Sequence, residues 1–341
     1  MAGDPVRRRR WQHRLVLPVA LLFPLIVSGC GKQNVLEPHS HAARRISKLW
    51  WVMMTGAWIG FGIVVLLLFL GWVRRNRATL PFGGGERAAT AFVVGLGVVV
   101  PILVLSSLFV WSDIFVIRAT DAPRRGSTSL TVRVTGHQWY WEIKYPGTNA
   151  VTANELHVPI RTRVRVVGTT GDVIHSLWVP ELNRKIDVIP GRDNVMLLDA
   201  DRPGTYPGQC AEFCGLQHAH MEIRVVAEPM QRFRSWLRNE AAPARTPSGG
   251  AASRGARVFM DEACSGCHQI RGTKAHGQIG PDLTHFGSRT MIGAGVLPNT
   301  HEDLRDWIRD PQDAKPDNRM PGLKLSGSDL RALVTYLEGL K

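Results

Sequence analysis

Gly208 to Met221 reads GQCAEFCGLQHAHM, and this stretch decides how the rest of the chain is understood. Two thiols (Cys210, Cys214), an imidazole (His218) and a thioether (Met221) fall within twelve residues. Such a spacing suits one loop closed around a metal better than a helix face. Thiolate and thioether are soft donors that favour copper, while imidazole serves copper and zinc alike. A second imidazole, His175 in DVIHSLWVP, follows an alternating run that reads as β-strand. Spacing alone leaves three readings open: a copper site, a tetrahedral zinc site of two Cys and two His, and a Cys210–Cys214 disulfide in an exported domain.

Further pieces accompany the loop: His137-Gln138-Trp139-Tyr140-Trp141, His175 to Pro180, and Pro190-Gly191-Arg192. In order and spacing they resemble the dinuclear copper (CuA) domain of cytochrome c oxidase subunit II. The resemblance implies that Cys210 and Cys214 bridge two copper ions, with His175 and His218 as terminal ligands. It makes Met221 a weak ligand to one copper and the backbone carbonyl of Glu212 a weak ligand to the other. It also places Trp139 where electrons enter, and matches the Glu212 carboxylate to one that binds magnesium or manganese at the catalytic-subunit interface. One departure is visible. The family presents carboxylates around its aromatic patch, whereas here Glu142 is followed by Ile143, Lys144, Tyr145 and Pro146-Gly147. Steering of a basic soluble partner is expected to be weak.

The chain opens on Arg7 to Arg10 and Arg14, then an apolar run from Leu15 to Val27. That pattern is a secretory signal over residues 1–29. It ends Val27-Ser28-Gly29-Cys30, which resembles a bacterial lipobox and implies diacylation of Cys30 as the mature N-terminus. The net charge is +14, but residues 1–29 carry five Arg against one Asp, so part of it leaves with the signal. No basic helix or aromatic RNA-binding motif accompanies the charge, which argues against a nucleic-acid partner.

Residues 30–118 read as a transmembrane hairpin. Leu49–Val73 and Ala88–Ser112 are uncharged apolar runs, the second interrupted by Pro101. Arg74, Arg75, Arg77 and Arg87 between them mark a cytoplasmic loop, leaving both flanks on the outer face of a bacterial plasma membrane. Trp50, Trp51, Trp72 and Trp111 sit near the ends. The related subunits carry an acidic residue after the second helix that helps admit protons. Asp113 and Asp121 are the nearby carboxylates here, and the role stays open between them.

Residues 119–238 hold short alternating strands, such as Ser129–Thr135 and Arg161–Val167, punctuated by Pro-Gly and Thr-Gly pairs. They predict a cupredoxin-like β-sandwich. Residues 239–253, rich in Ala, Pro, Gly and Ser, read as a flexible linker. Residues 254–341 follow with Cys264-Ser265-Gly266-Cys267-His268, the c-type haem attachment motif. Both thiols would carry the porphyrin and His268 would ligate iron. Met320 in Asn318-Arg319-Met320-Pro321-Gly322 is the expected sixth ligand, with Met291, His276 and His285 as rivals. Thr300 is placed to cap a helix over 301–309, and Ser326 or Ser328 to cap a final one over 330–340. The five cysteines divide as one for lipid, two for copper and two for haem.

The fold class is therefore multi-domain: a two-helix membrane hairpin, an all-β cupredoxin-like sandwich and an all-α class I cytochrome c domain. This order resembles subunit II of caa3-type oxidases. It implies electron flow from a soluble cytochrome c or an upstream respiratory complex to haem c, then to CuA. A catalytic subunit I, accompanied by a subunit III, then reduces oxygen to water coupled to proton translocation. The chain itself offers no oxygen-reducing site. Two other readings keep the same sites: a copper-containing nitric oxide reductase small subunit, and a membrane-anchored electron carrier without a catalytic partner.

Overall fold

The computed structural model of the chain describes residues 33–74, 85–123 and 126–341, and everything below belongs to the unit Val35–Lys341. The signal segment 1–29, Cys30, Arg75 and Arg77 lie outside the described residues.

Helix α1 spans His41–Arg74 and the helical segment α2 spans Glu86–Ile117, both long and apolar enough to cross a membrane. Each is longer than its apolar run. The extra N-terminal turns of α1 are polar, and they are helical because they dock on the sandwich. Ser40 caps them, accepting from Ala43 N at 2.9 Å and donating to Leu182 O. His39 N bonds Glu181 O at 2.9 Å, and Arg44 pairs with Asp201. Farther along, Trp58 and Phe109 stand 66% and 74% exposed within sleeves of Leu, Val and Ile. Such sleeves suit lipid rather than water. α2 absorbs Pro101 through a wide π-turn over Gly95–Val99, where Val100 N bonds Gly95 O. That turn precedes the proline, which lacks a donor and crowds the carbonyl four residues back. A second wide turn over Ser112–Ile117 carries Asp113, paired with Arg118 at 3.5 Å. Asp121 lies just past the helical segment and accepts from Ala122 N.

The sandwich comprises β1 (Leu130–His137), β2 (Tyr140–Lys144), β3 (Val151–Ala153), β4 (Glu155–Pro159), β5 (Val164–Thr170), β6 (His175–Trp178), β7 (Ile186–Val188), β8 (Asn194–Leu198), β9 (Gly204–Cys210) and β10 (Glu222–Glu228). One sheet runs β3-β2-β1-β5-β8 and the other β4-β10-β9-β6-β7. β1 with β5 and β4 with β10 are parallel pairs, the crossovers that close a Greek-key sandwich. Alternation puts Val132, Val134, Ile143, Val166, Leu177, Ile223 and Val225 wholly inside. Trp141 is buried by the same period, while Trp139 and Tyr140 stay at the rim.

Helix α3 (Met230–Ala241) folds back on the sandwich, stacking Trp236 on His157 at 4.0 Å. The last domain contains α4 (Gly250–Asp261), α5 (Cys264–Cys267), the hairpin β11 (Met291–Ile292) and β12 (Leu297–Pro298), α6 (His301–Arg309), α7 (Pro311–Ala314) and α8 (Gly327–Gly339). Thr300 caps α6, and Ser326 rather than Ser328 caps α8. The expected 239–253 linker is narrower than its composition suggests, because α3 and α4 claim its ends and leave 242–249. Ala242 O bonds His285 Nε2 at 3.0 Å and Ala244 N bonds Arg271 O at 2.8 Å. These bonds lay the start of the connector along the haem-type domain.

α4 and α8 cross at Gly255, where an added Cβ would stand 2.0 Å from Ala332 O. Gly255→Ala is expected to destabilise this domain by about 1–3 kcal/mol, although alanine is the better helix former by roughly 1 kcal/mol. Denaturant unfolding followed at the haem absorption band measures it, and a more stable variant would contradict the close crossing.

Candidate metal centres

His175 opens β6 and Cys210 closes β9, with Leu177 and Cys210 in register. Cys210 N to Met221 O at 3.0 Å and Ala211 N to Ser176 O at 2.8 Å fix both ends of the loop between β9 and β10. Within it Cys210 Sγ lies 3.7 Å from Cys214 Sγ, and both thiols are free. A disulfide requires about 2.05 Å, so that reading is dropped. His175 Nδ1 lies 3.9 Å from Cys210 Sγ, on one side. His218 Nδ1 and Met221 Sδ lie 3.7 and 3.9 Å from Cys214 Sγ, on the other. Glu212 O is 3.2 Å from Cys210 Sγ, while the Glu212 side chain is exposed. His175, Cys210, Cys214 and Met221 are buried. Five side-chain donors and a carbonyl exceed the four of a structural zinc site. Their softness and burial fit copper.

A layer that sequence reasoning missed orients these groups. Asp172 Oδ1 lies 2.8 Å from His175 Nε2, leaving Nδ1 toward Cys210. Burial works to raise the Asp172 carboxyl, but bonds from His175 and from the amides of Gln138 and Val173 outweigh it and hold it below the usual range. His175 is raised: burial opposes its charge, and Asp172 and Cys210 more than offset that. Hydrogen bonding from the Cys214 thiol keeps Cys210 far below an ordinary thiol, and the same bond, with burial, pushes Cys214 up. Bound metal takes the place of such protons. Gly136 leaves room for the imidazole, since a Cβ there would meet His175 Cδ2 at 2.8 Å. The Cys214 carbonyl accepts from Gln138 Nε2 at 2.8 Å and from Trp139 Nε1 at 3.1 Å. The three-residue spacing from Asp172 to His175 was the one sequence signal for this layer.

In the last domain the single turn of α5 carries Cys264 and Cys267, with Ala263 in the left-handed region at its start. His268 leaves the turn extended, and its Nδ1 donates to Pro281 O at 2.9 Å. Nε2 is thereby left for a metal. Burial lowers the His268 pKa, favouring the neutral ring a ligand needs. Gly280 is pressed against the imidazole, since a Cβ would come within 2.4 Å of Cε1. A cavity of about 300 Å³ opens here, lined by Cys264, Cys267, His268, Leu283, Phe286 and Met320 among others. Free thiols, an oriented imidazole and apolar walls fit a covalent haem. Gln312 Nε2 pins the Met320 segment, donating to Asn318 O at 2.9 Å and to Met320 O at 2.8 Å. Among the rivals, His285 turns to Ala242 O, His276 is exposed in a bridge with Gln269, and Met291 shares the cavity wall. Gln138, Trp139 and Tyr140 of the sandwich also line that cavity.

A membrane-anchored, redox-type subunit with a cupredoxin-like sandwich and a c-type haem domain is the class these features define. Comparison with known families agrees. Residues 150–228 match the cytochrome c oxidase subunit II periplasmic domain, and residues 252–341 match cytochrome c. Cytochrome c oxidase subunit 2 of Alkalihalophilus pseudofirmus is 38% identical over 253 residues, covering 74% of this chain and 72% of its own. That of Bacillus subtilis is 30% identical over 353 residues, covering 96% and 98%. That of Bacillus sp. strain PS3 is 32% identical, covering 66% of each. The chain belongs to the cytochrome c oxidase subunit II family, and so forms part of an oxidoreductase. The two matched domains imply copper and haem c as its cofactors.

Asp172→Asn is expected to weaken copper retention about 10–100-fold while leaving the sandwich folded. Competition against a chelator measures it; unchanged affinity would contradict a role for Asp172 behind His175.

Proposed function

We propose that this chain is the electron-entry subunit of a caa3-type oxidase. Cys264, Cys267, His268 and Met320 hold haem c. His175, Cys210, Cys214, His218, Met221 and the Glu212 carbonyl hold a dinuclear copper pair. When bound, the haem and the copper pair supply one-electron redox chemistry, taking electrons from an external donor toward a catalytic subunit that reduces oxygen. The chain's residues do the rest. Pro281 O and Asp172 set which imidazole nitrogen faces each metal. Burial keeps water from Cys210, Cys214 and Met221.

One observation carries the reading: the two sites share a wall. Gln138 and Trp139 line the haem cavity and both donate to the Cys214 carbonyl. A short hydrogen-bonded route therefore runs from that cavity to a copper thiolate, with Trp139 at the entry point. The two anchoring helices and the family support a bacterial plasma-membrane protein with both domains on the outer side. Cys30 is the proposed lipid anchor. The exposed Glu212 carboxylate is the proposed contribution to a magnesium or manganese site completed by subunit I, with subunit III and proton translocation belonging to the whole complex. The names of the relatives favour oxygen over nitric oxide as acceptor, and over a carrier with no catalytic partner.

In the purified complex, Met320→Ala should lower the haem midpoint and cut oxygen uptake at least tenfold, whereas Met291→Ala should leave both near wild type. The reverse pattern would move the sixth ligand to Met291; an unchanged pair would remove methionine ligation altogether.

A further inference from the structure

Lys315 is a buried cation that neither site uses. Its side chain is enclosed, 2% exposed, in the segment between α7 and Met320. Its ammonium donates to Trp139 O at 3.0 Å, His220 O at 2.7 Å and Gly293 O at 2.7 Å. Three N–H groups meet three carbonyls, so the ammonium is saturated. Two of those carbonyls belong to the copper-type domain, one on the turn between β1 and β2 and one on the turn beside His218. The third belongs to the haem-type domain.

The neighbouring contacts repeat the pattern. Gln217 Nε2 donates to Pro316 O at 2.5 Å, and Arg319 Nη2 to Gln138 Oε1 at 2.6 Å. Glu222 N bonds Ala294 O at 2.9 Å. Gln138 is thus held by Arg319, beside Met320, at its oxygen and bonds Cys214 O through its nitrogen. A second patch lies elsewhere on the same interface. There Glu155 Oε1 accepts from Thr290 N and Oγ1, each at 2.7 Å, and Arg271 reaches Asn149 O and Glu240 O.

We propose that Lys315 is a positioning residue for electron transfer within the chain, latching the Met320 segment of the haem domain onto the Trp139 turn and the copper loop. The Thr290–Arg271 patch keeps the domains together; Lys315 sets how the Met320 end closes. Hydrogen bonds made by a buried ammonium are strong and direction-dependent. Burial drives the Lys315 pKa down to about 7. A positive charge so placed also stabilises the less positive, reduced state of a copper pair. The latch rests on the function proposed above, which supplies the two centres it aligns.

The test uses the full-length chain in detergent, loaded with haem and copper, as wild type, Lys315→Met and the exposed control Lys324→Met. Three quantities are read: hydrogen exchange, the copper midpoint potential, and the rate of haem reoxidation by copper after flash reduction. Lys315→Met should keep both absorption spectra. Its amides over 138–141, 215–222 and 315–320 should exchange at least tenfold faster, with β1 and β5 unchanged. Transfer should slow at least tenfold and become viscosity-dependent, and the copper potential should fall. Lys324→Met should match wild type. Wild-type exchange, potential and transfer in Lys315→Met would overturn the latch. Loss of either spectrum in that variant would overturn it too, assigning Lys315 to the integrity of a single domain. Should the wild type itself lack a copper pair, the functional reading fails, and the exchange measurement still decides the docking.

Discussion

One carbonyl oxygen joins the parts of this protein. Cys214 O accepts from the Gln138 amide and the Trp139 indole, and through it the copper loop, the aromatic turn and the haem cavity are mechanically one. Losing both donors would leave that carbonyl unsatisfied in a partly buried wall, a cost of about 1–3 kcal/mol. The loop cannot relax without moving Trp139, and Trp139 cannot move without deforming the cavity it lines. For electron transfer that rigidity is useful, because a fixed donor–acceptor separation removes a search step.

The site was largely legible from sequence because its donors are chemically rare. Thiols, imidazoles and thioethers at loop spacing leave few alternatives, and the structure gathers His175, Cys210, Cys214, His218 and Met221 into one cluster, buried except for the half-buried His218. The CxxCH turn was equally readable. Spacing did not show that the sulfurs stand unbonded at 3.7 Å, since three intervening residues allow either state. Nor did it single out Asp172, whose role depends on a turn bringing a common residue type under His175.

Helix ends and the connector were less legible, for a physical reason. Apolar runs mark where lipid or core contact holds a helix. The polar turn at His41 is helical only because Ser40, His39 and Arg44 find partners more than 100 residues away. The same applies to 239–253: its composition is that of a tether, yet Arg271 and His285 hold its first residues in place. Lys315 is the extreme case. A lysine among Asp, Pro and Asn reads as solvated surface, and only the docked fold shows it saturated by three carbonyls from two domains.

The docked arrangement also bears on how electrons arrive. On the function proposed above, the Trp139 turn is covered by the Met320 segment of the chain itself, through Lys315 and Arg319. A fused donor held at fixed orientation needs no electrostatic steering. The central claim is that the 208–221 loop and His175 hold two copper ions sharing one electron. Electron paramagnetic resonance of the oxidised, copper-loaded full-length chain tests it most directly. The account predicts a copper hyperfine pattern from two equivalent nuclei beside a low-spin haem signal. A pattern from a single copper nucleus, or zinc in place of copper, would contradict it.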